Sequence, residues 1–464
     1  MSAIRDIPEV AGLDGYGSLV RIPPEQDVPL TGRVRAILDT AAFRRLAKVS
    51  QTGLVSLVYP AAHHSRFEHS LGVYRMALLF LQRLSHDPRF AQAVTSRDAE
   101  LFLLAALLHD LGHWPFCHPI EDMGLPQVPH HEAFAARFLL EGELAELLRR
   151  DWSIEPEEVL ALLNDPPQRT ACQILASMLS GPIDIDKLDY LIRDSLHAGV
   201  PYGRNFDQHR LIRSLCLNEA GNGLAITEKG KTAAEMMVFA RYVMFSEVYW
   251  HHGVRSATAM LQRAFYRLQH RVDMERLFRL GDGQFIEALR EAAQGGTSPG
   301  EQPLALLDGL FGDARRLYKR VAQYSFFEQR DVYDRLARRP FPWLVRCAER
   351  FAHLASAATG QPIQADQVLF DAPPAEREVQ FRVHVHYLKE NRYRLLGDVS
   401  PVVRALAQEQ FDDYVKRVRL FADPDVATAL RAIPDLPALL YRAADETDAA
   451  QTDAAAPKGA GQAS

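Results

Sequence analysis

The chain opens without a hydrophobic period: residues 1–31 are rich in Pro and Gly and read as an irregular lead-in. Apolar positions then fall into helical spacing, and Val34, Ile37, Leu38, Phe43, Leu46 and Val49 predict one or two short helices over 32–51. After a turn at Tyr59-Pro60, a long helix is expected over 65–84, closed by Asp87-Pro88. The stretch 101–108 is apolar on every side, with Asp98 as its expected cap, and such a helix belongs inside a core. Further helices are predicted over roughly 131–150, 155–163, 170–179 and 231–270, with a hairpin over 211–227 turning at Gly221-Asn222-Gly223. Beyond 275 the pattern mixes. Val379, Phe381, Val383, Val385 and Tyr387 alternate as a half-buried strand, and 412–430 returns to helix. The expected layout is a lead-in over 1–31, a helical core over 32–275, a mixed α/β region over 276–442 and a disordered tail over 443–464. The expected fold class is mainly α, a helical core with a smaller mixed α/β C-terminal region.

Composition narrows the classes. At 464 residues, 47% hydrophobic and 24% charged, the chain can bury a substantial core as one large domain with additions or as two to three ordinary ones. The net charge of -6 includes no basic block, so nucleic acid as a partner has no electrostatic support. Four cysteines (Cys117, Cys172, Cys216, Cys347) form no CxxC pair, which argues against a thiolate zinc site and against a disulfide framework. The longest apolar run is eight residues, against the roughly 20 that span a bilayer. A soluble cytoplasmic protein with no membrane partner is expected.

Of seventeen histidines, nine lie between His63 and His131. Imidazole is both the commonest metal ligand and the neutral-pH proton carrier. His63, His64 and His130 stand beside turns and read as solvated or locally bonded, and His86 as a helix-end residue. His109-Asp110 differs, because two ionisable groups close an otherwise apolar helix. A buried carboxylate is costly unless paired or bound to a cation, so a metal or catalytic role is expected there. In the stretch 182–194, helical spacing puts Asp186, Tyr190 and Asp194 on one face, flanked by Lys187 and Arg193. A solvated face is the plainer reading of charges alone. Tyr190 and the apolar Ile and Leu positions interleave here, so a face that holds a metal, a phosphate and a polar ligand group stands equally beside it. His384 and His386 lie on the polar side of the alternating strand and read as solvent-facing.

These segments, taken in order, resemble the HD-domain metal-dependent phosphohydrolase superfamily. The residues that carry the likeness are Arg66-Phe67-Glu68-His69-Ser70-Leu71-Gly72-Val73, then His109-Asp110-Leu111-Gly112-His113, Pro115-Phe116-Cys117-His118, His131-Glu132 and Asp186. The likeness runs from about Gly32 to about Gln269 and points to the deoxynucleoside triphosphate triphosphohydrolase branch. It implies that His69, His109, Asp110 and Asp186 hold one divalent ion, which polarises a phosphoryl oxygen or activates a water. Mixed nitrogen and oxygen ligation suits Mn²⁺, Fe²⁺ or Mg²⁺ more directly than Zn²⁺ or Ni²⁺. It further implies Arg66 and Lys187 as phosphate-facing cations, with Arg193 a lesser candidate. His113, His118 and His131 are then the acid–base candidates, the last two favoured.

By the same resemblance, Gln51 and Asp194 hold a 3′-hydroxyl, and Tyr190 packs under the sugar and leaves no room for a 2′-hydroxyl. The implied reaction is water attack on the α-phosphate of a deoxynucleotide, in a dimer or tetramer open to an activating nucleotide. Two departures stand out: Trp114 in place of a small residue, expected to narrow the pocket or alter the open face of the metal, and Cys117 in place of a serine. Thr52 also replaces an apolar residue beside Gln51. The 249–255 segment reads either as nucleotide contact or as helix packing. The alternatives are a phosphatase or phosphodiesterase acting on another phosphate ester, or a nucleotide-sensing module without turnover.

Overall fold

The helix Ser96–Leu108 runs through the centre of the molecule, with Leu103, Leu104 and Leu108 fully covered. Burying one such leucine stabilises the fold by about 1.5–3 kcal/mol. Thr95, not the expected Asp98, is its N-cap. Asp98 completes a reciprocal capping box by accepting from the Thr95 amide at 3.0 Å. The computed structural model describes residues 3–15, 17–24, 26–296, 300–374, 382–409 and 415–455, and is mainly helical as expected.

The helices Arg66–Leu84, Pro156–Asn164 and Thr170–Ser180 pack on the central one, and Ile185–His197 packs on Arg66–Leu84 and Thr170–Ser180, with Lys231–Met244 against it. Ser65 caps the first of these by accepting from the Glu68 amide at 3.4 Å. The expected hairpin pairs Leu215–Leu217 with Leu224–Thr227 and is continued in parallel by His384–Tyr387, which pairs in turn with Arg392–Leu395. Val379 and Phe381, at the start of the expected strand, lie outside the described residues.

Three expectations are corrected. The lead-in is not irregular: it forms Pro8–Ala11 and the hairpin Leu19–Ile22 with Gln26–Pro29, and it buries Ile4, Ile7, Val10 and Val28 in the main core. Elements this short leave no readable period. Within 412–430 the chain is not one helix. Val418–Ala422 is the middle strand of an antiparallel sheet, between Lys319–Tyr324 and Val368–Asp371, and Pro424–Arg431 is the helix. A five-residue strand buried on both faces looks the same in sequence as a buried helix turn. Nor does disorder begin at 443: the helix Leu436–Ala455 packs on Phe341–Thr359, burying Ala443, Ala444 and Thr447. This second core, from Tyr324 to Ala444, is separate from the first, but Val383, Val385 and Phe421 join the first.

Candidate active site

His69 on the second turn of Arg66–Leu84, His109 at the end of Ser96–Leu108 and Asp186 on Ile185–His197 converge from three helices. The two Nε2 atoms are 3.3 Å apart, and Asp186 Oδ1 stands 3.1 Å from His69 Nε2 and 3.9 Å from His109 Nε2. The other ring nitrogens are occupied. His109 Nδ1 donates to the Ala106 carbonyl at 2.9 Å, and His69 Nδ1 donates to Asp189 Oδ2 at 2.9 Å. That turns both Nε2 atoms toward Asp186, the ring position through which imidazole binds a cation once its proton is displaced. Asp110 stands at the rim, with Oδ1 3.4 Å from His109 Nε2 while Oδ2 takes Arg66 Nη1 at 2.7 Å. These four residues can hold a divalent ion.

Charge agrees with geometry. Burial works to lower the basicity of His69, but hydrogen bonds to Asp186 and Asp189, with the nearby carboxylate charges, carry it up to about 10. Burial also works to raise Asp110, yet Arg66 and the His113, His109 and His69 rings hold it well below the usual carboxylate range.

Asp189 went unnoticed in the sequence, although its spacing of three from Asp186 and four from Arg193 was visible. Arg193 grips it with Nε at 2.8 Å and Nη2 at 2.7 Å, and reaches Glu68 Oε1 at 2.6 Å. Arg193 is therefore not a phosphate-facing cation; it holds the carboxylate that holds His69. The clamp lies against Gly72, where a Cβ would sit 2.0 Å from Asp189 Oδ1.

A cavity of about 590 Å³ opens over this cluster. Gln51, Arg66, Tyr190 and Asp194 line it, as do His113, His118 and His131. Lys187 does not: Nζ is bound to Asp184 Oδ2 at 2.6 Å and to the Gly181 carbonyl at 3.3 Å, which corrects its expected place among the phosphate contacts. Asp194 is held on both oxygens, by His64 Nε2 at 2.8 Å and by Tyr249 O–H at 2.5 Å. His64 is thus buried and bonded to the site, not solvated beside a turn. Tyr249, Trp250 and Arg255 line the cavity, while His251 and His252 do not.

Three histidines form its other wall. His113 packs on His131 with ring centroids 3.8 Å apart, and His118 lies 5.5 Å from His131. Glu121, also missed in the sequence, accepts from the His131 amide at 2.7 Å and stands 3.0 Å from Nδ1. Burial and the Arg66 charge push His113 well below the ordinary imidazole range. Phe116 takes a left-handed backbone, φ 55°, to turn the chain into the Cys117–Glu121 helix. Gly112 lets that loop touch the next segment, since a Cβ would lie 2.0 Å from the His131 carbonyl. Trp114 does not narrow the cavity. It is buried in the core, stacked on Phe278 at 4.1 Å.

Residues 66–178 match the HD domain family, and residues 206–432 match the HD associated region. The chain belongs to the HD-domain phosphohydrolase superfamily, on the branch that contains deoxynucleoside triphosphate triphosphohydrolase relatives. An uncharacterized protein of Methanocaldococcus jannaschii is 32% identical, over 84% of this chain and 76% of its own. Deoxynucleoside triphosphate triphosphohydrolase SAMHD1 of Gallus gallus is 31% identical, over 50% of this chain and 42% of its own. The match to YwfO of Bacillus subtilis, 35% identical, likewise takes in only 51% of that protein. A crystal structure of a hypothetical protein from Aquifex aeolicus superposes with a TM-score of 0.67 at 26% identity, covering 89% of this chain and 99% of that one. Among the described residues no helix is long and apolar enough to cross a membrane.

Proposed function

We propose that the protein hydrolyses deoxynucleoside triphosphates to deoxynucleoside and triphosphate, by attack of water on the α-phosphorus. The observation that carries this reading is the pair of facing Nε2 atoms of His69 and His109, with Asp186 and Asp110 beside them, in the lining of a cavity of about 590 Å³. An ion bound by these four residues supplies Lewis-acid polarisation of the phosphoryl oxygen.

The remaining work falls to side chains. Arg66 lines the cavity and is placed to offset charge that develops on the phosphorus oxygens. His118, exposed and lining the cavity, is the proton donor to the departing 5′-oxygen as the P–O5′ bond breaks. His113, kept neutral by burial and by Arg66, is not a proton source near neutral pH. At the other side, Gln51 and Asp194 bind the 3′-hydroxyl and Tyr190 closes the space a 2′-hydroxyl would need. His64 and Tyr249 aim Asp194 for that task. Lys187 faces Asp184 here, so phosphate binding in this account rests on Arg66. The triphosphohydrolase name of the SAMHD1 relatives supports the substrate class.

His109→Ala and Asp186→Ala test the reading directly. Each is expected to abolish metal binding at this site and turnover together, and full activity in either would overturn it. Ribonucleoside triphosphates assayed alongside test the sugar contacts: hydrolysis at the deoxynucleotide rate would refute the role given to Tyr190.

A further inference from the structure

Beside the His69–His109–Asp186 trio, His113, Cys117 and His131 each bring one ligand atom to within 4.8 Å of the others. His113 and Cys117 are buried, at 3% and 2% exposure, and His131 is half-buried. Neither ring nitrogen of His113 makes a hydrogen bond among the described residues. Asp110 Oδ1 comes within 3.1 Å of His113 Nδ1 without the geometry of one. A buried imidazole with both nitrogens unsatisfied calls for a partner, and this one stands beside a thiol and a second imidazole.

We propose that His113, Cys117 and His131 form a second metal site, one that takes a thiolate-seeking divalent transition ion such as Zn²⁺ or Co²⁺. Two imidazoles and one sulfur are a three-ligand set for a tetrahedral ion with its fourth position open to the cavity. The first trio offers nitrogen and carboxylate oxygen only, so the two sites differ in softness, and sulfur directs the softer ion here. Binding breaks the Cys117 S–H bond, releases the proton to water and forms the sulfur–metal bond, with no change of oxidation state. Glu121, through its contacts to the His131 amide and ring, supplies the outer carboxylate that such ligands use for orientation. The cavity that all three residues line is the entry path. Asp110 Oδ1, 3.1 Å from His113 Nδ1 and 3.4 Å from His109 Nε2, stands between the two sets.

The test is a Co²⁺ titration of the metal-stripped full chain, followed by absorption and equilibrium dialysis. Two equivalents are expected to bind, one of them with the near-ultraviolet absorption of sulfur-to-cobalt charge transfer. Cys117→Ser is expected to lose that band and one equivalent while circular dichroism stays native. Asp186→Ala should keep the band, and so should Cys216→Ser, which removes the half-buried cysteine elsewhere. A single equivalent with no sulfur band in the wild-type chain would overturn the proposal, whatever the variants do. A band that persists in folded Cys117→Ser would overturn it equally.

Discussion

Asp189 accepts a hydrogen bond from His69 Nδ1 at 2.9 Å and is itself gripped by Arg193, so a carboxylate that does not line the cavity decides which His69 nitrogen faces it. Asp189→Asn keeps the shape but loses the charge that fixes this tautomer. Metal affinity is expected to fall about 10–100-fold, the usual cost of losing such a partner. Isothermal titration of the stripped protein with Mn²⁺ reads this, and unchanged affinity would remove Asp189 from the account.

The protonation of His69 gives a pH dependence with a definite sign. Its basicity in the folded, metal-free protein is raised to about 10 from an ordinary 6.5. A raised imidazole stabilises the fold fully below pH 6.5, and the contribution is lost as pH climbs through 10. An ion that binds Nε2 must displace that proton. Metal affinity is therefore expected to rise with pH over this window, by up to about tenfold per unit. Titrations in buffers of different ionisation enthalpy measure the proton released near pH 7.5. Binding with no proton release would contradict the charge state given to His69.

The C-terminal helix gives a stability prediction. Truncation after Arg442 removes Ala443, Ala444 and Thr447 from the second core and takes Asp448 from Trp343 Nε1, which donates to it at 2.8 Å. Thermal unfolding is expected about 3 °C or more lower, on the scale by which about 1 kcal/mol moves a domain of this size. Truncation after Ala455 is the control. Equal Tm in the two truncated chains would restore the reading of 443–455 as a passive tail.

What could be read from the sequence follows from how far each signal reaches along the chain. The apolar run ending in His109-Asp110 announced a buried helix with a functional end, and the helix is buried. The 211–227 hairpin carried its own turn chemistry, and it pairs as expected. Residues that act through partners distant in sequence were invisible. His64 and Asp194 are separated by 130 positions, and Glu121 gives no hint that it turns to His131. Lys187 misled because the resemblance gave it a role but not a rotamer, and Asp184, the N-cap of its helix, captured it. Trp114 misled because a large residue beside a site can point into the core as well as into the cavity. Strand Val418–Ala422 failed because five buried positions, Arg419 among four apolar residues, are too few to distinguish strand from helix.

The central claim is α-phosphorus attack on a deoxynucleotide, and product analysis decides it most directly. The metal-loaded protein is incubated with each deoxynucleoside triphosphate, singly and mixed, with Mn²⁺ or Mg²⁺, and the products are separated by anion exchange. The account predicts intact triphosphate and deoxynucleoside in equal amounts, with neither formed by Asp186→Ala. Orthophosphate with a diphosphate, or pyrophosphate with a monophosphate, would place the attack at another phosphorus and contradict it.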